Sequence, residues 1–314
     1  MFLNEQSKRE VKMEKQNPKR APRPPLRQRG QPIYLSSVDV KILQYVWKWK
    51  VSSTASIHET INRASSPYST YKRLEKLEKN GYIACHFHDV ERFNVWSLTE
   101  RGFSSIQSYL GELAEDGYQS ENHRHDRLVQ AFQLGEWATH QWPKVLFFTE
   151  QEMRRKDVEQ FPDWVPQSKE HRADGYTRIL GDSRLWTLAH EVELSAKNVQ
   201  KYEGTLRFYK SAKGIDRVLW LIATPFIRDQ ILRAKACIRD ESQNYHVFVD
   251  LEDFVYNGWD AAVTNERSET LFTLREKYQG MAGDLIREML GNSRGQSRVT
   301  VHLDSKKVLG KIRR

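Results

Sequence analysis

Cysteine is almost missing from this chain of 314 residues: Cys85 and Cys237 stand far apart, which excludes a disulfide framework and any zinc site built of cysteine alone. Long apolar runs are missing too. No stretch approaches the roughly 18–20 residues of a membrane span, and no apolar signal-peptide core follows the charged start. The expectation is a protein of a reducing cytoplasm with no membrane partner. No GxxxxGK[ST] loop occurs, which excludes an ATP-driven motor of that kind, and no internal repeat is visible.

What the chain has in excess is basic charge at its two ends. The net charge is +9, yet residues 1–31 hold nine Lys/Arg against three acids and residues 294–314 hold seven against Asp304 alone, leaving a slightly acidic body between. Basic ends on such a body suit a polyanion, of which nucleic acid is the commonest. Five of the ten prolines, from Pro18 to Pro32, lie in the first segment among basic residues. It has little to bury and is expected to be disordered. The composition divides the chain into a basic arm (1–34), a compact unit (35–110), a polar linker (111–124), a second domain (125–290) and a basic tail (291–314). The arm reads equally as a solubilising tail and as a phosphate-binding segment.

Within 35–110, Ser36 or Ser37 caps a helix whose Val40, Leu43, Val46 and Trp47 recur at helical spacing. A short helix over 54–63 follows, then a break at Ser65-Ser66-Pro67 and a third helix ending at Gly81. In that helix Tyr71, Leu74 and Leu77 are expected to face the core, leaving Ser69, Thr70, Lys72, Arg73 and Lys76 toward solvent. Two strand-like stretches, 82–88 and 92–98, form a hairpin, and a further helix starts near Thr99. This order, with "LEKLEKNGYI" and "WSLTERG", resembles the winged helix-turn-helix domains of bacterial DNA-binding proteins. The resemblance implies contacts to double-stranded DNA from Ser69, Thr70, Lys72, Arg73 and Lys76 on the third helix and from Arg92 on the wing. A winged helix used for protein pairing is the alternative.

From 125 onward, strands and helices alternate as in an α/β domain with helices packed on a mixed sheet. A helix opens at 125 and runs toward 140. Strands are expected over 144–149, 171–180, 185–194 and 217–223, with 245–249 closing the sheet; helices are expected over 195–213 and 225–235. Asp174 lies on one strand, and Glu191 and Glu193, two apart, project from one face of the next. Carboxylates so placed repel one another, and three of them without a His or Cys ligand suit a hard ion such as Mg²⁺ or Mn²⁺. Lys197, four residues on in the first turn of the next helix, can orient a water and neutralise charge on a phosphate. The plainer alternative is a sheet edge with the glutamates paired to Arg172 or Lys201. His123 and His125 complete no zinc site, although His125 and Asp126 can approach the metal from their helix.

An acid, an acidic strand and a lysine in this order resemble the PD-(D/E)XK nuclease superfamily. The closer resemblance is to the replication-relaxation family and the related MOBC plasmid relaxases, in which a winged helix precedes a restriction-endonuclease-like domain. It is carried by His171-Arg172-Ala173-Asp174-Gly175, by His190-Glu191-Val192-Glu193-Leu194-Ser195-Ala196-Lys197 and by Tyr202-Glu203-Gly204. Two departures stand out: Ala173 replaces the usual Pro, and Glu193 takes the place of the usual Lys, so that Lys197 must substitute from a neighbouring helix. The resemblance implies Asp174, Glu191 and Glu193 as metal ligands and, with Lys197, as catalytic positions. It also implies site-specific nicking at a plasmid or mobile-element transfer origin, in company with relaxosome or coupling proteins in a bacterial cytoplasm. No histidine cluster of the HUH type is present. Tyr202 and Tyr209 are candidate nucleophiles beside a metal-activated water, which is the default. Two other readings stay open: a non-catalytic DNA-binding regulator with a degenerate nuclease domain, and a transposon or restriction-type endonuclease cutting both strands.

If the arm meets phosphates, deleting residues 1–31 weakens binding to every duplex sequence and flattens the dependence of log K on log salt. Duplex titrations over a series of salt concentrations check this; an unchanged slope would make the arm a tail.

Overall fold

Ser36 opens the first helix as a reciprocal cap. Its hydroxyl accepts from the Asp39 backbone N–H at 3.2 Å, and the Asp39 carboxylate accepts from the Ser36 N–H at 2.9 Å. Two donors that a helix end leaves open are thereby satisfied. The computed structural model describes residues 34–88, 93–134, 145–180, 185–242 and 245–275. Most of the expected arm, the hairpin tip with Arg92, positions 135–140 of the helix opening at 125, and the basic tail lie outside the described residues.

Helix α1 (Ser37–Trp49) packs Ile42, Leu43 and Val46 with no exposure. Helix α2 (Thr54–Ile61) is capped by Ser53, and α3 (Pro67–Lys79) by Ser66 with Pro67 in its first turn, where a missing N–H costs nothing. Gly81, at φ +72°, turns the chain out of α3. Strands β2 (Ile83–His88) and β3 (Phe93–Leu98) pair antiparallel, and the two-residue β1 (Val51–Ser52) adds to β3. Helix α4 (Glu100–Ile106), capped by Thr99, closes this part. Tyr71 departs from expectation: it is 41% exposed, because Thr70, Leu74 and Leu77 form the buried stripe instead.

The larger part is mixed α/β. Helix α5 (His123–Leu134) precedes β4 (Val145–Thr149), β5 (Gly175–Leu180) and β6 (Leu185–Glu193), which pair antiparallel in succession. Helix α6 (Val199–Ser211) then crosses to β7 (Arg217–Ile222) and α7 (Pro225–Cys237) to β8 (His246–Asp250), both parallel additions. After α8 (Leu251–Asn257), β9 (Ala262–Thr264) and β10 (Thr270–Thr273) extend the sheet antiparallel. Residues 245–249 therefore do not close the sheet. Its order among the described residues is β10-β9-β8-β7-β6-β5-β4.

The two faces of this sheet carry separate apolar layers. Tyr202, Leu206, Ile227 and Ile231 of α6 and α7 pack on one face with Ala189 and Trp220. Val129 and Phe132 of α5 and Phe254 of α8 pack on the other with Leu188 and Val192. Strand β6 is thus covered on both sides, and every residue from Thr187 to Glu193 is buried. From Tyr34 onward the described residues cluster as one compact unit. Residues 111–124 lie against it: Leu113 bridges Arg155, and Tyr118 stacks on Phe103 at 4.7 Å.

Lys50, at the end of α1, has φ 60° and ψ −45°, a conformation costing a residue with a side chain about 1–3 kcal/mol. Thr70 has the opposite character, with no exposure and a saturated hydroxyl: Asn62 Nδ2 donates to it at 2.9 Å and His58 Nδ1 lies 3.0 Å away. Thr70→Val, of equal size, leaves both partners unmatched. Denaturant unfolding is expected to show a loss of about 1–3 kcal/mol; wild-type stability would contradict this account of the α2–α3 junction.

Candidate active site

The expected acids meet at the carboxyl end of β6. Asp174, one residue before β5, donates its backbone N–H to His190 O at 3.1 Å, and its carboxylate accepts from the Val192 N–H at 2.6 Å. The next residue is glycine for a steric reason. A Cβ on Gly175 would meet the Gln133 amide at 2.3–2.6 Å, whereas glycine lets Gln133 Nε2 donate to Asp174 O at 3.0 Å. Glu191 and Glu193, 5% and 4% exposed, share a strand face with Ala189 beneath α6.

Each carboxylate has its own cationic partner. Glu193 Oε1 accepts from Lys197 Nζ at 2.6 Å. Glu191 Oε1 lies 2.6 Å from His171 Nε2 and also accepts from the Tyr209 hydroxyl. Asp174 Oδ1 faces His125 Nε2 at 3.5 Å, and His125 reaches Val192 O at 3.1 Å and, through Nδ1, Asp126 Oδ1 at 3.1 Å. The glutamates are therefore not paired to Arg172 or Lys201; Arg172 pairs with Glu115 at 2.5 Å. Lys50 Nζ lies 2.6 Å from Glu150 and 3.8 Å from Asp126. Lys50, Glu150 and the His171 and Tyr209 contacts to Glu191 have no local signal in the sequence, because each depends on contacts between distant segments.

Lys197 is placed differently from expectation. It lies before the helix, not in its first turn, because Asn198 is the cap, accepting from the Lys201 N–H at 2.9 Å. The Lys197 N–H donates to the Tyr202 hydroxyl at 3.2 Å, which pins the loop so that the ammonium turns back to Glu193. Tyr202 and Tyr209 are each 1% exposed.

Burial and charge compete at these groups. Burial disfavours the His125 cation, but Asp126 and Asp174 outweigh it and push the ring up to about 10. Burial also works against His171, which Glu191 and Asp174 still hold above the ordinary imidazole range. At Glu193 burial dominates and, with Glu191 and Asp174 nearby, pushes the carboxyl up to about 7 against the pull of Lys197. Among the described residues no three His, Cys, Asp or Glu are gathered closely enough to hold a metal ion as the side chains stand. The donor chemistry nonetheless fits a hard divalent cation: three oxygen ligands, mutually repelling and largely shielded from water. Their present cationic partners would have to turn aside.

The expected nucleic-acid face is only partly as anticipated. Ser69, Lys72 and Lys76 of α3 are exposed. Thr70 is buried and unavailable to a ligand. Arg73 is drawn inward, its guanidinium 2.8 Å from Asp39 Oδ1 and 3.0 Å from Ser36 Oγ, so it ties α3 to the start of α1. Arg92 lies outside the described residues. On the same face Tyr68 is 68% exposed and Tyr71, expected in the core, is exposed too; the Lys72 ammonium lies 5.4 and 5.9 Å from their ring centres.

Comparison with known proteins finds no matching family model, no matching curated protein and no matching solved structure.

Glu193 gives a stability prediction for metal-free protein. Its carboxyl titrates near 7 in the folded chain against an ordinary 4.5, so the folded state holds the proton more tightly. Stability then falls as pH rises from about 4.5 to about 7, by roughly 3 kcal/mol from this group, and levels off above. Glu193→Gln removes that loss. Chemical denaturation in EDTA is expected to find the variant more stable than wild type at pH 8 and similar at pH 4.5; equal stability at pH 8 would contradict the assignment.

Proposed function

We propose that this protein is a DNA-processing enzyme: a winged helix-turn-helix part binds duplex at a plasmid or mobile-element transfer origin, and a PD-(D/E)XK-like domain nicks one strand with Mg²⁺ or Mn²⁺. The observation that carries the reading is the convergence of Asp174, Glu191, Glu193 and Lys197 at one strand end. The mixed sheet and the order of three helices and an antiparallel hairpin support it. So does the exposed Ser69, Lys72 and Lys76 face of α3.

Asp174, Glu191 and Glu193 would hold the divalent ion, which when bound supplies Lewis-acid activation of water and phosphate. Lys197 is half-exposed, with 49% of its side chain accessible. Its ammonium can leave Glu193 for the developing charge on the phosphate. His171 and Tyr209 orient Glu191, and His125 and the Val192 N–H orient Asp174. The tyrosine hydroxyls are buried and already engaged with Glu191 and the Lys197 N–H, which favours water over tyrosine as the nucleophile.

A second reading is supported by the same pairing: carboxylates each closed by their own cation suit a degenerate domain in a DNA-binding regulator. Incubating supercoiled plasmids, with and without a cognate origin, in Mg²⁺, Mn²⁺ or EDTA separates the readings. Divalent-dependent open circles are expected, with loss of at least a hundredfold in rate for Asp174→Ala or Glu191→Ala and little change in duplex binding. Binding without cleavage would support the regulator, and linear product a double-strand endonuclease. A protein–DNA adduct that disappears in Tyr202→Phe or Tyr209→Phe would replace the water mechanism.

A further inference from the structure

Lys50 combines an unfavourable backbone with a nearly buried charge. Its φ of 60° and ψ of −45° suit glycine better than any residue with a side chain, and only 14% of its side chain is exposed. Such backbone strain gathers at functional sites. The end of α1 does not need Lys50 in order to dock on the large sheet. Lys48 Nζ donates to Phe147 O at 3.3 Å and to Glu152 Oε1 at 3.1 Å, and Trp49 sits edge-on to Phe147 at 6.3 Å. Gln130 of α5 independently donates to Ser52 Oγ at 3.0 Å.

The ammonium of Lys50 enters a small cleft that it lines with Asp126, Thr149, Glu150 and Asp174. From it runs a chain of alternating charge: Lys50 to Asp126 at 3.8 Å, Asp126 to His125 at 3.1 Å, and His125 to Asp174 at 3.5 Å. Glu150 holds the lysine from the opposite side at 2.6 Å and is itself shared with Arg154 at 2.8 Å and Arg172 at 3.8 Å.

We propose that Lys50 is a positioning residue for the carboxylate cluster: it holds Asp126, and through it the His125 ring, against Asp174, so that the part bearing the α3 face contributes a side chain to the site. The effect on rate rests on the nuclease reading above; the effect on His125 does not. Replacing Lys50 removes the cation from one side of Asp126 and leaves that carboxylate with Ser120 and His125. The imidazole that depends on Asp126 then loses its fixed approach to Asp174 and Val192 O.

The test uses the full chain and Lys50→Met, Lys50→Gly and Lys50→Arg; glycine keeps the left-handed backbone should methionine impair folding. Two measurements are paired: nicking kcat and KM with Mg²⁺, and the side-chain ¹⁵N resonances of His125 in metal-free protein at one pH. Lys50→Met and Lys50→Gly are expected to lower kcat about ten- to a hundredfold, the usual scale for a residue that orients a ligating side chain, with KM and duplex binding unchanged. They are also expected to move the His125 resonances, and Lys50→Arg restores both. Unmoved His125 resonances overturn the proposal whatever the rate does, and so does a wild-type rate in an active enzyme. If wild type shows no nicking while the His125 resonances still move and arginine restores them, the nuclease reading fails and the positioning chain stands.

Discussion

Three largely shielded carboxylates near the end of one strand pair, close enough for Asp174 and Glu191 to act on Glu193, are the constraint on which the rest of this structure turns. Charges in such a place repel strongly and lose their hydration, so each must be met by a donor or a cation. The chain meets them from four directions. Lys197 comes from the loop after β6, and His171 from the segment before β5. Tyr209 comes from α6, and His125 from α5. The loop, both helices and the approach to β5 all have to be in place before the acids can be buried together. Sheet order and site are thus one arrangement, and at Gly175 they touch closely, since its missing side chain leaves room for Gln133 to hold the Asp174 carbonyl.

Helix α5 connects the two parts of the molecule. It carries His125 and Gln133 toward the acids, and Asp126 and Gln130 toward Lys50 and Ser52. At its end Leu134 enters the apolar cluster of the amino-terminal helices, while Val129 and Phe132 pack against the sheet. A single helix with polar anchors on both sides can pass a displacement at one face to the other. The same contacts explain why residues 34–134 do not read as a bead on a string: Gln130 of α5 donates to both Tyr45 of α1 and Ser52 of β1, and Lys50 at the end of α1 pairs with Asp126.

Much of the first part was legible because its signals are local. Ser36, Ser53, Ser66 and Thr99 stand where caps were needed, and Gly81 where the chain required positive φ. Thr70 was readable too: it lies four residues before Leu74 and seven before Leu77, on the buried stripe that Tyr71 leaves. Its polarity argued for solvent, but its position decided for the core. The start of α6 departs from expectation in the same way: the helix expected from 195 took Lys197 into its first turn, whereas Asn198, an ordinary cap residue, begins the helix after it. The acids themselves could be named from their spacing. Of their partners, His125 was placed near the acids from its helix, but the contacts of His171 and Tyr209 to Glu191 carry no local signal, because those segments meet only through the order of the sheet. Strands β9 and β10, three and four residues long, carry too little alternation to announce themselves.

The central claim is that Asp174, Glu191 and Glu193 form one cation-binding unit once their present partners turn aside. Calorimetric titration of Mn²⁺ into the metal-free full chain tests it without any DNA. The account predicts saturable binding in wild type that is lost on replacing Asp174 with alanine. Binding of equal strength in wild type and that variant would contradict it.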